Sequence, residues 1–304
     1  MSPSALFIVN PTAGGGRGRR AQARIADLLS HSQFADAEFA FTERPGHATS
    51  LARQWAAAGV ERIVAVGGDG TVHEVVNGLL AHGTDGGRLG VIPIGTGNDF
   101  ARSVGIPAGV DAALAVAIAA DPTVRVVDAG RIGDRFFAVL AGTGLAARVA
   151  GAVNRAPSWS KIGTLPFVYY TLREVLTNRN VELSVELDGD EPIRLPCFMV
   201  YVSNCRFSGG GMQLSPGALP DDGLLDVCLV GDASLVDVVT MLPRVFSGGH
   251  VGHPTVALHR ARTVRVTGPT DVLVQADGEV IGTLPMEISV MPRALRVLSA
   301  VGKL

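Results

Sequence analysis

In the stretch RIVAVGGDGTVHEVVNGLL, Arg62 to Leu80, an apolar strand runs directly into Gly67-Gly68-Asp69-Gly70-Thr71 before a helix begins. Paired glycines let a backbone turn sharply and approach a ligand, and the free N–H groups of the following helix attract an anion; that geometry suits phosphate. An aspartate in such a loop repels phosphate unless a divalent cation or a hydroxyl lies between them, so the chemistry indicated is metal–nucleotide binding or phosphoryl transfer. The alternative is a glycine turn whose aspartate caps the helix. Three further strand exits carry the same kind of text. Asn10-Pro11-Thr12-Ala13-Gly14-Gly15-Gly16 leaves the first strand, Thr42 precedes Gly46-His47, and Pro93-Ile94-Gly95-Thr96-Gly97-Asn98-Asp99 leaves the fourth. Four such exits on one sheet edge make a single mononucleotide site. No GxxxxGK[ST] occurs, which excludes a P-loop enzyme.

The elements that must position these loops alternate strand and helix. Strands are expected at Ala5–Val9, Glu38–Phe41, Arg62–Val66 and Arg88–Pro93, with helices at Arg19–Ser30, His47–Ala58 and Val72–Leu80. This is the pattern of a parallel, doubly wound sheet, whose ligands sit beyond the carboxyl ends of the strands. After about Asp121 the text turns β-rich, with strands at 125–132, 135–140, 181–187, 193–202, 225–230, 263–266, 272–275 and 286–290. Turn signals such as Asp188-Gly189 and Asp277-Gly278 separate some of these strands, and an antiparallel sandwich or barrel is expected. Helical inserts are expected at 144–154, 163–176 and 235–246.

Bulk properties set the bounds. The chain has 304 residues, 47% of them hydrophobic and 18% charged, which is enough for two ordinary domains with sizeable cores. A net charge of -2 supplies no basic field, so nucleic acid is not an expected partner. Cys197, Cys205 and Cys228 are odd in number and form no CxxC, so neither a disulfide framework nor a zinc site is indicated. The N-terminus lacks the basic region of a signal peptide, and the longest apolar run, Ala112 to Ala120, is under half of the roughly 20 residues that span a bilayer. The expectation is a cytoplasmic protein without a transmembrane segment, in peripheral contact with a membrane. The sequence leaves oligomeric state open, a homodimer included.

The motifs NPTAGGG, TERPGHA, VGGDGTVHEVVNGL, IPIGTGNDFAR, LSPGALPDDGLLDV and ADGE follow one another along nearly the whole chain. Together they resemble the diacylglycerol kinase catalytic family, which includes soluble bacterial diacylglycerol kinases, YegS-like lipid kinases, and sphingosine and ceramide kinases. The resemblance implies ATP-dependent transfer of the γ-phosphoryl group to a hydroxyl of diacylglycerol or a related lipid at a membrane surface, a step of phospholipid metabolism. It also implies an α/β, doubly wound N-terminal domain like that of 6-phosphofructokinase and NAD kinase over residues 1–122. A β-sandwich lipid-substrate domain over 123–291 and a tail, 292–304, returning to the first domain complete the expectation.

By the same resemblance, ATP is contacted by Asn10, Pro11, Thr12, Ala13, Gly14, Thr42, Gly67, Gly68, Asp69, Gly70, Thr71 and Thr96. Asp69 lies near the phosphates and their Mg²⁺, and Glu74 and Asn77 tie the loop down. Asp222 matches a structural magnesium position, with the carbonyls of Leu219 and Leu224 helping; an Asp-Asp-Gly turn is the competing reading. Asp277-Gly278-Glu279 reads as a hairpin turn when taken alone. The resemblance instead makes Glu279 the general base for the acceptor hydroxyl, with Asp277 supporting it or the metal, in a cleft closed between the two domains.

Two rivals stay open: an NAD kinase, which shares the GGDG-type loop, and a non-catalytic lipid or nucleotide sensor. His250 and His253 stand in a glycine-rich loop with no carboxylate expected nearby, and His73 reads as a packing residue. Arg17, Arg19 and Arg20 are expected on a solvated helix face near the first glycine loop. The aromatic segment from Trp159 to Tyr170, beside Lys161 and Arg173, fits core packing or a lipid mouth.

Overall fold

The computed structural model describes residues 3–83, 86–155, 164–177 and 180–301. Two compact units divide the chain: residues 1–129 with 292–304, and residues 130–291.

The first unit is built from β1 (Leu6–Val9), α1 (Ala13–Leu29), β2 (Glu38–Phe41), α2 (His47–Ala57), β3 (Arg62–Gly67), α3 (Asp69–His82), β4 (Arg88–Pro93), α4 (Asp99–Ser103), α5 (Val110–Ala117) and the start of β5 (Val124–Ile132). Its strands run parallel in the order β2-β1-β3-β4. β1 and β3 are buried along their whole length, and their near-continuous apolar text is what a parallel strand covered on both faces requires. β2, at the edge, is partly exposed.

The second unit continues with β6 (Arg135–Phe137), β7 (Leu140–Gly144), α6 (Leu145–Arg155), α7 (Thr164–Thr177), β8 (Val181–Leu187), β9 (Ile193–Cys197), β10 (Met199–Ser203), β11 (Leu225–Val230), α8 (Leu235–Met241), β12 (Val256–Ala261), β13 (Thr263–Thr267), β14 (Leu273–Ala276), β15 (Glu279–Thr283) and β16 (Met286–Leu298). One layer pairs the start of β16 with β13, β8 and β9 in antiparallel fashion. The other is antiparallel throughout, ordered β12-β11-β10-β7-β14-β15. Val264, Val266, Met286 and Ile288 of the first layer share one apolar core with Val200, Val202, Leu225, Val227 and Val274 of the second, so the unit is a sandwich. A second core, with Val149, Val175, Val238 and Met241 against Cys228 and Val230, lies where α6, α7 and α8 cover the outer face. Past residue 291, β16 enters the first unit and pairs in parallel with β4, Arg296 opposite Arg88 and Val297 opposite Leu89.

Several elements depart from the sequence expectation. The apolar run 193–202 is two strands, β9 and β10, each in a different layer; Pro196, which lacks a ladder donor, sits in the edge strand β9. The run 135–140 divides likewise into β6 and β7. The helix expected over 235–246 ends at Met241, and a 3₁₀ turn at Arg244–Phe246 follows Pro243. Strands β12 and β15 and helix α5 were not anticipated. All three cysteines are buried and free, and apolar surroundings push the thiols of Cys197 and Cys228 up to about 12. Among the described residues no helix is long and apolar enough to cross a membrane.

Candidate active-site groups

Three of the glycine-rich strand exits of the first unit are packed backbone against backbone. A Cβ on Gly95 would lie 2.6 Å from Cα of Gly68; within the third loop itself, one on Gly67 would lie 2.3 Å from the side-chain Oγ1 of Thr71. Gly14 has φ +58°, and a Cβ there would lie 2.3 Å from the carbonyl oxygen of Ile94. Glycine is therefore required where the first, third and fourth loops touch. By contrast a Cβ on Gly15, Gly16 or Gly70 meets nothing within 4 Å, so these backbones border open space. A polyphosphate fits such a cradle, since no side chain stands before the backbone at Gly15 and Gly70, although the Gly16 amide is already donated to the Thr12 carbonyl at 3.2 Å.

Polar side chains hold the loops in register. Asn10 donates from Nδ2 to Oγ1 of Thr71 (3.1 Å), and its Oδ1 accepts from the amide (3.1 Å) and hydroxyl (2.9 Å) of Thr12. Ala13 donates its amide to the Asn10 carbonyl, and Thr42 donates its amide to Val9 where β2 ends. Pro11 and Ala13 are half-buried in the first loop, and Thr96 stands exposed in the fourth. Glu74, on α3, accepts from the amides of Gly46 and Ala48, both at 2.9 Å, and so caps the N-terminus of α2. Asn77 donates to the carbonyl of His73 (2.9 Å), and both are buried. Arg17 donates from Nε to the carbonyl of Gly14 (2.9 Å).

Asp69 opens α3, yet its carboxylate serves a different helix. Oδ2 accepts from the amide of Asn98 (2.7 Å), and Oδ1 accepts from the amides of Asp99 (2.8 Å) and Phe100 (3.4 Å) at the start of α4. Desolvation, with the nearby charge of Asp99, pushes its pKa up to about 6, against the three amides that favour the ionised form. Two residues outside the sequence expectation complete the arrangement. Asn98, in the left-handed region at φ +53°, accepts from the Gly95 amide and donates to the Gly95 carbonyl, both at 3.0 Å. Arg102 reaches the Gly97 carbonyl (3.2 Å) and the buried Asp99 (3.4 Å). The spacing of Gly97, Asn98 and Arg102 in GTGNDFAR is the signal that could have found them.

In the second unit, Asp277 (φ +46°) and Gly278 (φ +87°) form the two-residue turn between β14 and β15. The Asp277 carboxylate accepts three consecutive amides, those of Ala138 (2.8 Å), Val139 (3.0 Å) and Leu140 (3.0 Å). Glu279 is the first residue of β15, opposite Ala276 in the ladder, and is half-buried.

Asp222 accepts from the Leu224 amide (3.1 Å) and is ion-paired with Arg260. Arg260 lies directly across the ladder from Asp226, whose carboxylate it approaches at 3.8 Å. Asp226 is 7% exposed, and one of its oxygens is buried without a hydrogen-bond partner. Desolvation pushes Asp226 up to about 6, while Arg260 opposes the rise and Asp222 adds to it. Two adjacent carboxylates, one with an orphaned buried oxygen, are donors that fit a hard cation such as Mg²⁺, with Arg260 balancing the remaining charge. Leu219 contributes its place in the chain three residues before Asp222.

The two histidines of the glycine-rich loop do not converge. His250 faces the Leu214 carbonyl at 3.1 Å, whereas His253 lies 3.4 Å from Asp237, a carboxylate the sequence reading did not anticipate there. Of the aromatic segment, Trp159 and Lys161 lie outside the described residues, while Tyr169 is 62% exposed and packs edge-on to Tyr170.

Residues 4–132 match the family described as diacylglycerol kinase catalytic domain, and residues 139–299 match the YegS C-terminal NAD kinase beta sandwich-like domain. A diacylglycerol kinase of Mycobacterium tuberculosis is 36% identical over 247 residues, covering 80% of this chain and 78% of that one. Its counterpart in Staphylococcus aureus is 31% identical over 301 residues, covering 98% and 93%. Among solved structures, a Bacillus anthracis str. Sterne protein provisionally named a diacylglycerol kinase superposes with a TM-score of 0.79 at 25% identity, covering 97% of this chain and 96% of that one. An NAD kinase from Archaeoglobus fulgidus in complex with ATP has a TM-score of 0.52 at 16% identity, over 97% and 93%, a likeness of fold alone.

Proposed function

The chain belongs to the diacylglycerol kinase catalytic family and is a kinase, and from that premise we propose that it transfers the γ-phosphoryl group of ATP to the hydroxyl of diacylglycerol or a closely related lipid. The observation that carries the reading is the glycine cradle, in which the loops after β1, β3 and β4 interlock while the backbones of Gly15, Gly16 and Gly70 border open space. Amides so placed suit the phosphates of ATP, with Asn10, Pro11, Thr12, Ala13, Gly14, Thr42, Gly67, Gly68, Asp69, Gly70, Thr71 and Thr96 around the nucleotide. Asp69 supports it indirectly, through loop 98–100.

Transfer requires the alcohol oxygen to attack the γ-phosphorus while the bond to the bridging oxygen of ADP breaks. The alcohol proton leaves as the new P–O bond forms, and Glu279 is the carboxylate that accepts it. Asp277, its three amides already bound, supports Glu279 through the hairpin. Mg²⁺ would neutralise charge on the phosphates. A second, structural Mg²⁺ would be held by Asp222 with the carbonyls of Leu219 and Leu224. The place of action is the cytoplasmic surface of a membrane, where such lipids are found.

Incubation with ATP, Mg²⁺ and a panel of diacylglycerol, sphingoid base, ceramide and phosphatidylglycerol in detergent tests the reading, with NAD as a further acceptor. Phosphate on diacylglycerol supports it; phosphate on NAD alone, or ATP binding without turnover on any acceptor, overturns it. Glu279→Gln is expected to lower kcat by about 10²–10⁴-fold with ATP affinity nearly intact. Unchanged turnover would remove Glu279 as the base.

A further inference from the structure

We infer that Asn204 is a positioning residue for the transfer: it holds residues 138–140, which in turn hold the Asp277 carboxylate and the hairpin that carries Glu279. The inference deepens the reading of Glu279 as general base and rests on it.

The β7 ladders stop short of this segment. Pairing with β10 ends at Leu140 opposite Ser203, and pairing with β14 ends at Ala141 opposite Ala276. Beyond those points residues 138 and 139 lie outside both ladders and Leu140 lies outside the β14 ladder, and buried backbone groups need replacements. On one side the replacement is Asp277, which accepts the amides of Ala138, Val139 and Leu140 and returns its own amide to the Leu140 carbonyl at 2.8 Å. On the other side it is the 204–205 pair. Asn204 donates from Nδ2 to the Ala138 carbonyl (3.0 Å) and its amide to the Val139 carbonyl (2.8 Å). Cys205 adds its amide on Val139 at 3.1 Å and its thiol on Ala138 at 3.2 Å.

Residues 138–140 are thus a strut gripped from both sides. Asn204 is 1% exposed, and the bond from its Nδ2 to Ala138 offsets the cost of burying that donor. The turn is pinned as well, because Gly278 donates its amide to the 3% exposed Gln275 at 2.8 Å. A shift of the strut therefore passes to Asp277 and, two residues on, to Glu279. A misplacement of about 1 Å at a catalytic group costs on the order of 10²-fold.

The test is a mutant cycle assayed with ATP, Mg²⁺ and dioctanoylglycerol in mixed micelles. Asn204→Ala is expected to lower kcat by about 10–100-fold while the KM for ATP moves less than about twofold. In a Glu279→Gln background the same change is expected to add less than about twofold, since both act through one group. Cys205→Ala removes only the thiol bond and is expected to show the same non-additivity at smaller amplitude, which covers the case of an Asn204 variant that does not fold. An undiminished kcat, or an equal fold-loss in both backgrounds, overturns the inference and leaves Glu279 as base. If Glu279→Gln itself retains turnover, the base fails separately. Amide exchange without substrate then judges the coupling: unaltered protection at 277–279 in Asn204→Ala or Cys205→Ala overturns it.

Discussion

Asp69 carries opposing demands on one carboxylate. Three amides of the 98–100 segment favour its charge, while desolvation and Asp99 oppose it, with a net rise from 3.8 to about 6. A carboxyl raised on folding binds its proton more tightly in the native state, so its stabilisation is full below about pH 4 and is lost as pH rises through about 6; the span is roughly 3 kcal/mol. Asn at this position cannot titrate, and it would turn an N–H toward one of the amides, leaving a donor unmatched at about 1–3 kcal/mol. The stability advantage of the native protein over Asp69→Asn is therefore expected to shrink between about pH 4 and pH 7. Urea unfolding of both proteins across that range measures it, and a flat difference would show that Asp69 does not titrate there. Glu74 makes a simpler case. It caps α2 across 26 and 28 residues of chain, and Glu74→Ala is expected to cost about 0.5–2 kcal/mol, read as earlier thermal loss of helical signal.

Among elements, the loops depend on glycine at contacts rather than on glycine in general. Gly95→Ala places a methyl 2.6 Å from the Gly68 backbone, which cannot swing aside as a side chain would. The third and fourth loops must then separate, and ATP affinity is expected to fall by about 10-fold or more. Gly70→Ala, where a Cβ meets nothing, should leave the fold intact; isothermal titration of the two variants separates contact from open cradle. The alternation of apolar strands and glycine exits made the parallel sheet legible, because strand and helix periods differ locally. What was not legible is bonding across sequence distance. That Asp69 serves the amide of Asp99, 30 residues on, and Asp277 those of residues 137–139 positions back, leaves no local pattern. The same limit explains β9 and β10. One apolar run reads as one strand, and only the partners on either side of Phe198 show that the chain changes layer there.

At the scale of the whole molecule, the chain ends in the unit where it began, and the last strand is part of that unit's core rather than an appendage. Ala294, Leu295, Val297 and Leu298 are each at most 3% exposed. Ser299 donates its amide to Thr123 (3.0 Å) and its hydroxyl to Val104 (2.7 Å), and Arg293 donates its amide to Asp128 (2.7 Å). Burying the two leucines and the valine contributes about 1.5–3 kcal/mol each, so removing them takes several kcal/mol from a domain whose total is about 5–15. It also uncovers the β4 edge, whose partner is Arg296–Val297. A chain stopped after Met291 keeps every residue assigned to the candidate site and is nevertheless expected to lose ATP binding, through unfolding of the first unit. Limited proteolysis distinguishes the causes: rapid cleavage within residues 3–129 with residues 130–291 protected supports the argument. Protection of both units in the shortened chain would show that the returning strand is dispensable.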